Sequence, residues 1–279
     1  PYYQQTNDIV PGEAALALVT LADYFDDDAW IGTLDRYWEY YKPWWRERVE
    51  RKVEGAPWPV YTYSNDDRLE LVQFGPWTVM AAQAYYNRTQ DLDVADFGLE
   101  IARWMLDAYQ WDVDRAPYQD YIGGYYKMPG ELPAMQAFCY AEGTAAAYGI
   151  ALAARPEQAA FFGERTRQTV RFGLQVQLNE FSTYAFSRPE QVDGGIPYAM
   201  NETKVRIDYV HHALSAMYQW VLAAREDPEL AAEIKADHIL PQQYIRRLRQ
   251  KQAAKESQVS AEAPVSGPPE SSAEVNREP

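Results

Sequence analysis

Phe138-Cys-Tyr-Ala-Glu-Gly-Thr-Ala-Ala-Ala-Tyr-Gly-Ile-Ala-Leu-Ala-Ala154 decides the fold. The stretch is rich in alanine, the best helix former, and carries a single charge, Glu142. A helix that is apolar nearly all round is one that neighbours enclose. Pro133 is read as its opening residue and Ala154 as its approximate end. A short link at Arg155-Pro156 follows, and then residues 157–178, with bulky apolar residues on one stripe and charge elsewhere. That second pattern belongs to a helix with one face in water. The pair reads as an inner and an outer helix of one hairpin.

Working outward, the same alternation recurs. Residues 12–25 and 213–216 are rich in small side chains, as are Ala81, Ala82 and Ala84. Their partners carry stripes at steps of three or four: Trp30, Leu34, Trp38, Tyr41 and Trp45, then Val94, Phe97, Ile101, Trp104 and Ala108. Pro43 is expected to kink or end the first of these. Pro76 fits the first position of a helix over residues 77–86. The last pair is read over 205–224 and 228–239. No run of alternating β-branched residues is present, so the fold class is all-α, a repeat of helical hairpins. The interval of roughly 60–70 residues is longer than most helical solenoid repeats. Residues 1–250 read as this domain, and 251–279 as a disordered tail of Ala, Ser, Glu, Pro and Gln without period.

Links from inner to outer helix are short, and links from outer to inner helix are long: about 50–75, 111–132 and 179–204. In a stack of hairpins all links of one type lie at one end, so the long loops are expected on one face, beside the N-termini of the inner helices. Long loops in a compact domain are usually functional, and helix N-termini favour anionic groups. The loops hold Trp58, Asp120 and Tyr121 among many aromatics and carboxylates, the flat apolar faces and hydroxyl acceptors that a sugar needs.

Aligning the small-residue runs sets Glu13, Trp77, Glu142 and His212 at equivalent places in the four inner helices. Glu142, flanked by Tyr140, is a charge on an apolar helix, which is costly unless partnered and is a frequent mark of chemistry. Arg206-Ile-Asp208-Tyr209-Val-His211-His212 holds two of the chain's three histidines. Asp208 and His212 are four apart and share a helical face, where an Asp that orients a His makes a general base. Glu142, Asp208 and His212 are therefore the candidate catalytic residues. Glu13, Trp58, Asp120, Tyr121, Tyr140, Arg206, Tyr209 and His211 are candidates for substrate binding, with Arg206 suited to an acidic sugar. Adjacent histidines point about 100° apart on a helix and lack the His-x-x-x-His spacing, so no metal site is expected. No cofactor motif, Gly-x-Ser-x-Gly or phosphate-binding loop occurs. Cys139 reads as a buried, inert thiol.

Composition excludes other classes. A net charge of −15 argues against a nucleic-acid binder, which needs clustered Lys and Arg. No run of about 18 apolar residues is present, so no membrane insertion is expected. One cysteine rules out an internal disulfide framework, and permits an extracytoplasmic setting without requiring it. The N-terminus shows no signal-peptide pattern, and a start at Pro1 rather than Met reads as a processed chain or a piece of a longer one.

The hairpin alternation, Pro11-Gly-Glu13-Ala at the start of an inner helix, Tyr140-Ala-Glu142-Gly, and Asp193-Gly-Gly before another inner helix together resemble the α/α-toroid proteins known as six-hairpin glycosidase-like. That class includes glycoside hydrolases, uronyl hydrolases, polysaccharide lyases and sugar epimerases. The resemblance implies an (α/α) toroid, or a partial one, acting on a poly- or oligosaccharide. Four hairpins are fewer than a full ring of this class, so further hairpins are expected upstream, or else the ring is open or smaller. The other reading is a non-catalytic hairpin scaffold whose aromatic loop face binds a glycan or a protein partner.

Overall fold

In a computed structural model of the chain, residues 9–49, 65–126, 132–134, 138–184 and 186–226 are described, with backbone alone for Ile9 and 65–73. The chain divides into compact units Pro1–Pro228 and Glu229–Pro279, and all described residues belong to the first. The expected last helix at 228–239, His238 and the tail at 251–279 lie outside the described residues.

The first unit is all-helical. Among the described residues its helices are α1 (Ile9–Phe25), α2 (Ile31–Val49), α3 (Asn65–Thr89), α4 (Leu92–Tyr109), α5 (Phe138–Ala154), α6 (Pro156–Val176), a single turn α7 (Pro189–Val192) and α8 (Ile207–Glu226). No strand forms among these residues, only isolated antiparallel bridges. None of these helices is long and apolar enough to cross a membrane.

Packing follows the expected two kinds of helix. α1 packs on α3, α3 on α5 and α5 on α8, while α4 lies against α3 and α5, and α6 against α5 and α8. The consecutive residues Tyr140–Tyr148 of α5 are all buried, as its composition required. α2, in contrast, buries Leu34, Trp38 and Trp45 alone. Trp45 stacks on Phe74 of α3 at 5.7 Å and meets Trp104 of α4 edge-on at 5.0 Å.

The short links behave as tight hairpin turns. α1 and α3 are each followed by a residue in the left-handed region, Asp26 at φ 50° and Gln90 at φ 60°, which stops a helix and frees its last carbonyls for capping. Gln90 donates its side-chain amide to the Tyr86 carbonyl at 3.1 Å. Asp91 then caps α4 by accepting from the Asp93 and Val94 amides. Arg88 bridges Asp23, Asp26 and Asp28, tying the tips of the first two hairpins together.

Three boundaries differ from the sequence reading. α3 begins at Asn65, so Pro76 lies inside it rather than at its first position. Pro43 likewise lies inside α2. A proline costs a helix one backbone hydrogen bond and crowds the preceding turn, but tertiary packing outweighs propensity, and Pro76 is buried where α3 meets α5. α5 begins at Phe138, and Pro133 sits instead before Ala134, which bridges to Ala199. Cys139 is half-buried rather than buried.

The α3–α5 contact depends on Gly143. A Cβ there would lie 2.9 Å from the Pro76 Cα and 3.0 Å from the Met105 Cε. Alanine gains about 1 kcal/mol over glycine in helix propensity, yet backbone cannot step aside, and overpacking costs about 1–3 kcal/mol. Gly143→Ala is expected to lower stability by up to about 2 kcal/mol net in urea unfolding. A higher midpoint would show that the α3–α5 contact yields to the added methyl group without cost.

Candidate active site

Four inner helices come together at one level. Gly12 of α1 faces Trp77 and Thr78 of α3, where a Cβ would lie 2.7 Å from the Trp77 Cβ. Gly143 of α5 faces Pro76, next in chain to Trp77. His212 of α8 places its Nδ1 2.7 Å from the Glu142 Oε2 of α5, and its ring centroid 5.7 Å from that of Trp77. Of the alignment read from the small-residue runs, the structure brings Trp77, Glu142 and His212 together. Glu13 itself is exposed on α1.

Glu142 is 1% exposed. A carboxylate in such a place needs a partner, and His212 is the partner it has among the described residues. The imidazole is half-buried, with one nitrogen committed to the carboxylate. A carboxylate on Nδ1 fixes ring orientation and tautomer and leaves Nε2 for a reacting group. The pair lies within the first two turns of α5 and α8, whose N-termini bring positive potential.

The expected Asp208–His212 pair is not formed. Asp208 turns back onto Arg206, with its Oδ2 2.9 Å from Nη2 and its Oδ1 2.9 Å from Nε. Burial acts to raise the Asp208 pKa, but the Arg206 hydrogen bond and charge outweigh it and hold the carboxyl below its ordinary value. Residues four apart can meet on a helix, but a guanidinium two residues away offers the better charge partner. Arg206 also lies over the ring of Tyr209 at 5.2 Å, and Tyr209 is buried against Tyr198.

Adjacent histidines were expected to diverge too far to share a ligand. His211 and His212 do lie side by side, ring centroids 5.2 Å apart. Helical angle alone omits the neighbouring helix, however. With Glu142 reaching across from α5, one ligand atom from each of Glu142, His211 and His212 falls within 4.8 Å of the others.

Of the remaining predicted residues, Tyr140 is buried between Tyr109 and Tyr125, at 5.7 and 5.5 Å. Asp120 is exposed, and its carbonyl accepts from Gln175. Tyr121 is half-buried beside Trp111 and Tyr118. Trp58 lies outside the described residues.

The second long loop folds back on α4. Gly123 N–H donates to the Trp111 carbonyl, Trp111 N–H to that of Gly124, and Tyr126 N–H to that of Tyr109. Gly123 has φ +91°, and a Cβ there would lie 2.0 Å from the Gln168 carbonyl oxygen, so glycine alone fits. The Ala134–Ala199 bridge joins the second long loop to the third. Beneath them Gln110 donates to Thr169 at 2.7 Å, and Tyr125 shares a 3.1 Å hydrogen bond with Thr144, whose hydroxyl donates to the Ala141 carbonyl one residue before Glu142. Burial pushes the Tyr125 phenol up, so it stays protonated.

Sequence reading missed the anchor of this loop. Asp112 accepts from Arg165 Nη1 at 2.6 Å, Arg115 Nε at 3.0 Å and the backbone amides of Asp114 and Arg115. Both arginines also donate to the Leu106 carbonyl near the end of α4. The available signal was Arg165, a charge on the otherwise buried side of α6.

Comparison with family models, with curated proteins and with solved structures finds no match for this chain. The site stands on its own geometry.

Burial alone would raise the Asp112 pKa, but the Arg165 hydrogen bond and charge, with Arg115, bring it below its ordinary value. A carboxyl with a lowered folded value stabilises the fold above its unfolded pKa, near about 4, and that stability is lost as pH falls through the folded value. Asp112→Asn is expected to lower stability at pH 7 by about 2–3 kcal/mol and to flatten its fall below about pH 4. Urea midpoints across pH check both, and wild-type acid dependence in the variant would remove Asp112 as the anchor.

Proposed function

We propose that this chain is a carbohydrate-active enzyme of α/α-toroid type that acts on a poly- or oligosaccharide at the Glu142–His212 pair. The observation that carries the reading is the 2.7 Å hydrogen bond between a buried carboxylate and a half-buried imidazole. Glycoside hydrolysis by two carboxylates needs a second acid beside the first, and Asp208 is engaged with Arg206 instead. A His held by a Glu suits the other chemistry of the class better, abstraction of the proton next to a uronic-acid carboxylate, as in a lyase or an epimerase. His212 Nε2 is the base, Glu142 orients the ring and stabilises the imidazolium that forms, and Trp77 offers a flat face for a sugar ring. The helix N-termini of α5 and α8 suit the substrate's negative charge.

A second reading draws on the exposed Tyr118, Phe181 and Tyr184 of the long loops. In it the aromatic loop face binds a glycan or a protein without turnover.

A panel of neutral and uronic-acid oligosaccharides separates the two. Turnover of an acidic oligosaccharide is expected, with Glu142→Gln and His212→Gln each lowering kcat/KM by roughly 10²–10⁴-fold. Unsaturated or epimerised product names the reaction. Binding without turnover, unchanged in both variants, would establish the scaffold reading instead.

A further inference from the structure

We propose that Glu142, His211 and His212 form a binding site for one divalent transition-metal ion of zinc type. The inference concerns the same centre as the sugar chemistry but does not rest on it.

Three observations converge. One carboxylate oxygen and one nitrogen from each imidazole lie within 4.8 Å of one another. Ligands on a tetrahedral zinc sit about 3.4 Å apart at Zn–N distances near 2.1 Å, so His211 would close in while the 2.7 Å Glu142–His212 contact opens slightly and gives up its shared proton. His211 is exposed, and rotation of its side chain brings it in without moving a helix. Glu142 is rigidly held on an enclosed helix and is aimed at the imidazoles rather than at water. Finally, a pair of Glu142 and His212 alone is complete as a hydrogen bond. A metal would also engage the exposed His211 imidazole, which that hydrogen bond leaves out.

The donor set selects the ion. Two imidazoles with one carboxylate are borderline ligands that suit zinc, cobalt, nickel and copper over calcium or magnesium, which prefer oxygen alone. Three protein ligands leave a fourth position open, the arrangement of catalytic rather than structural zinc. An ion on these three ligands would replace the Glu142–His212 hydrogen bond on which proton abstraction depends, so metal and acidic sugar compete for one centre.

The test is a titration of chelator-treated full-length protein with Co²⁺, followed by visible absorption and without sugar. Saturable uptake of one ion per chain, with the ligand-field bands of a four- or five-coordinate site, is expected. His211→Gln should weaken it more than about 100-fold, beyond the loss from an outer-sphere partner. That variant alters an exposed side chain and leaves the Glu142–His212 pair intact, so it folds. His238→Gln, which changes the third histidine of the chain, should bind as the wild type does. Absence of saturable binding, or equal affinity in His211→Gln, overturns the proposal. Sugar turnover is assayed separately in chelator, so failure of either reading leaves the other standing.

Discussion

α5 is enclosed by α3, α4, α6 and α8, and a helix with neighbours on every side has no room for bulk on the faces they share. Gly143 against Pro76 is one expression of this, since the two backbones approach to a distance that one methyl group would forbid. The consequences spread outward. Alanine-rich sequence makes α5 a strong helix in isolation, but it buries little area per residue. The large side chains that supply the core therefore come from the outer helices and from Phe74, Phe138, Tyr148 and Trp220. A carboxylate on such a helix has no route to water, and its environment must provide a partner. α8 does so with His212, and the Glu142–His212 contact and the packing of the innermost helix become one arrangement.

The helical class and the inner and outer character of each helix were legible because both follow from composition along 15 to 20 residues, where many weak preferences add. Glu142 was legible for a related reason: one charge in an otherwise apolar helix stands out in the sequence itself. The nearness of Trp77, Glu142 and His212 could be read from small residues, since close approach leaves a compositional trace. Helix starts were less legible. Pro76 and Pro133 both carry the signal of a first helical position, yet one lies inside a helix and the other before a bridge. Proline reports a local preference, and the contact with α5 overrides it for Pro76.

Pairing between helices was the least legible. Asp208 and His212 satisfy an i, i+4 rule that takes no account of a neighbouring Arg206 or of Glu142, 70 residues distant in sequence. The same omission applies to the adjacent histidines, whose geometry depends on what α5 brings between them. Asp112 was one of several loop carboxylates, and nothing within its own loop distinguishes it. Its role exists through Arg165 of α6.

The separation of Glu142 from His212 has a kinetic side. Seventy residues of chain must be organised before the two can meet, and closing so long a loop is entropically slow relative to forming either helix. α8 docks on α5 and α6, while α5 is held by four helices. A local opening that releases α8 alone would then cost less free energy than global unfolding and would silence the centre while the rest of the helices stay packed. In amide hydrogen exchange such an opening would separate α8 from α5 as a distinct cooperative unit, with the Glu142–His212 contact on the seam between them.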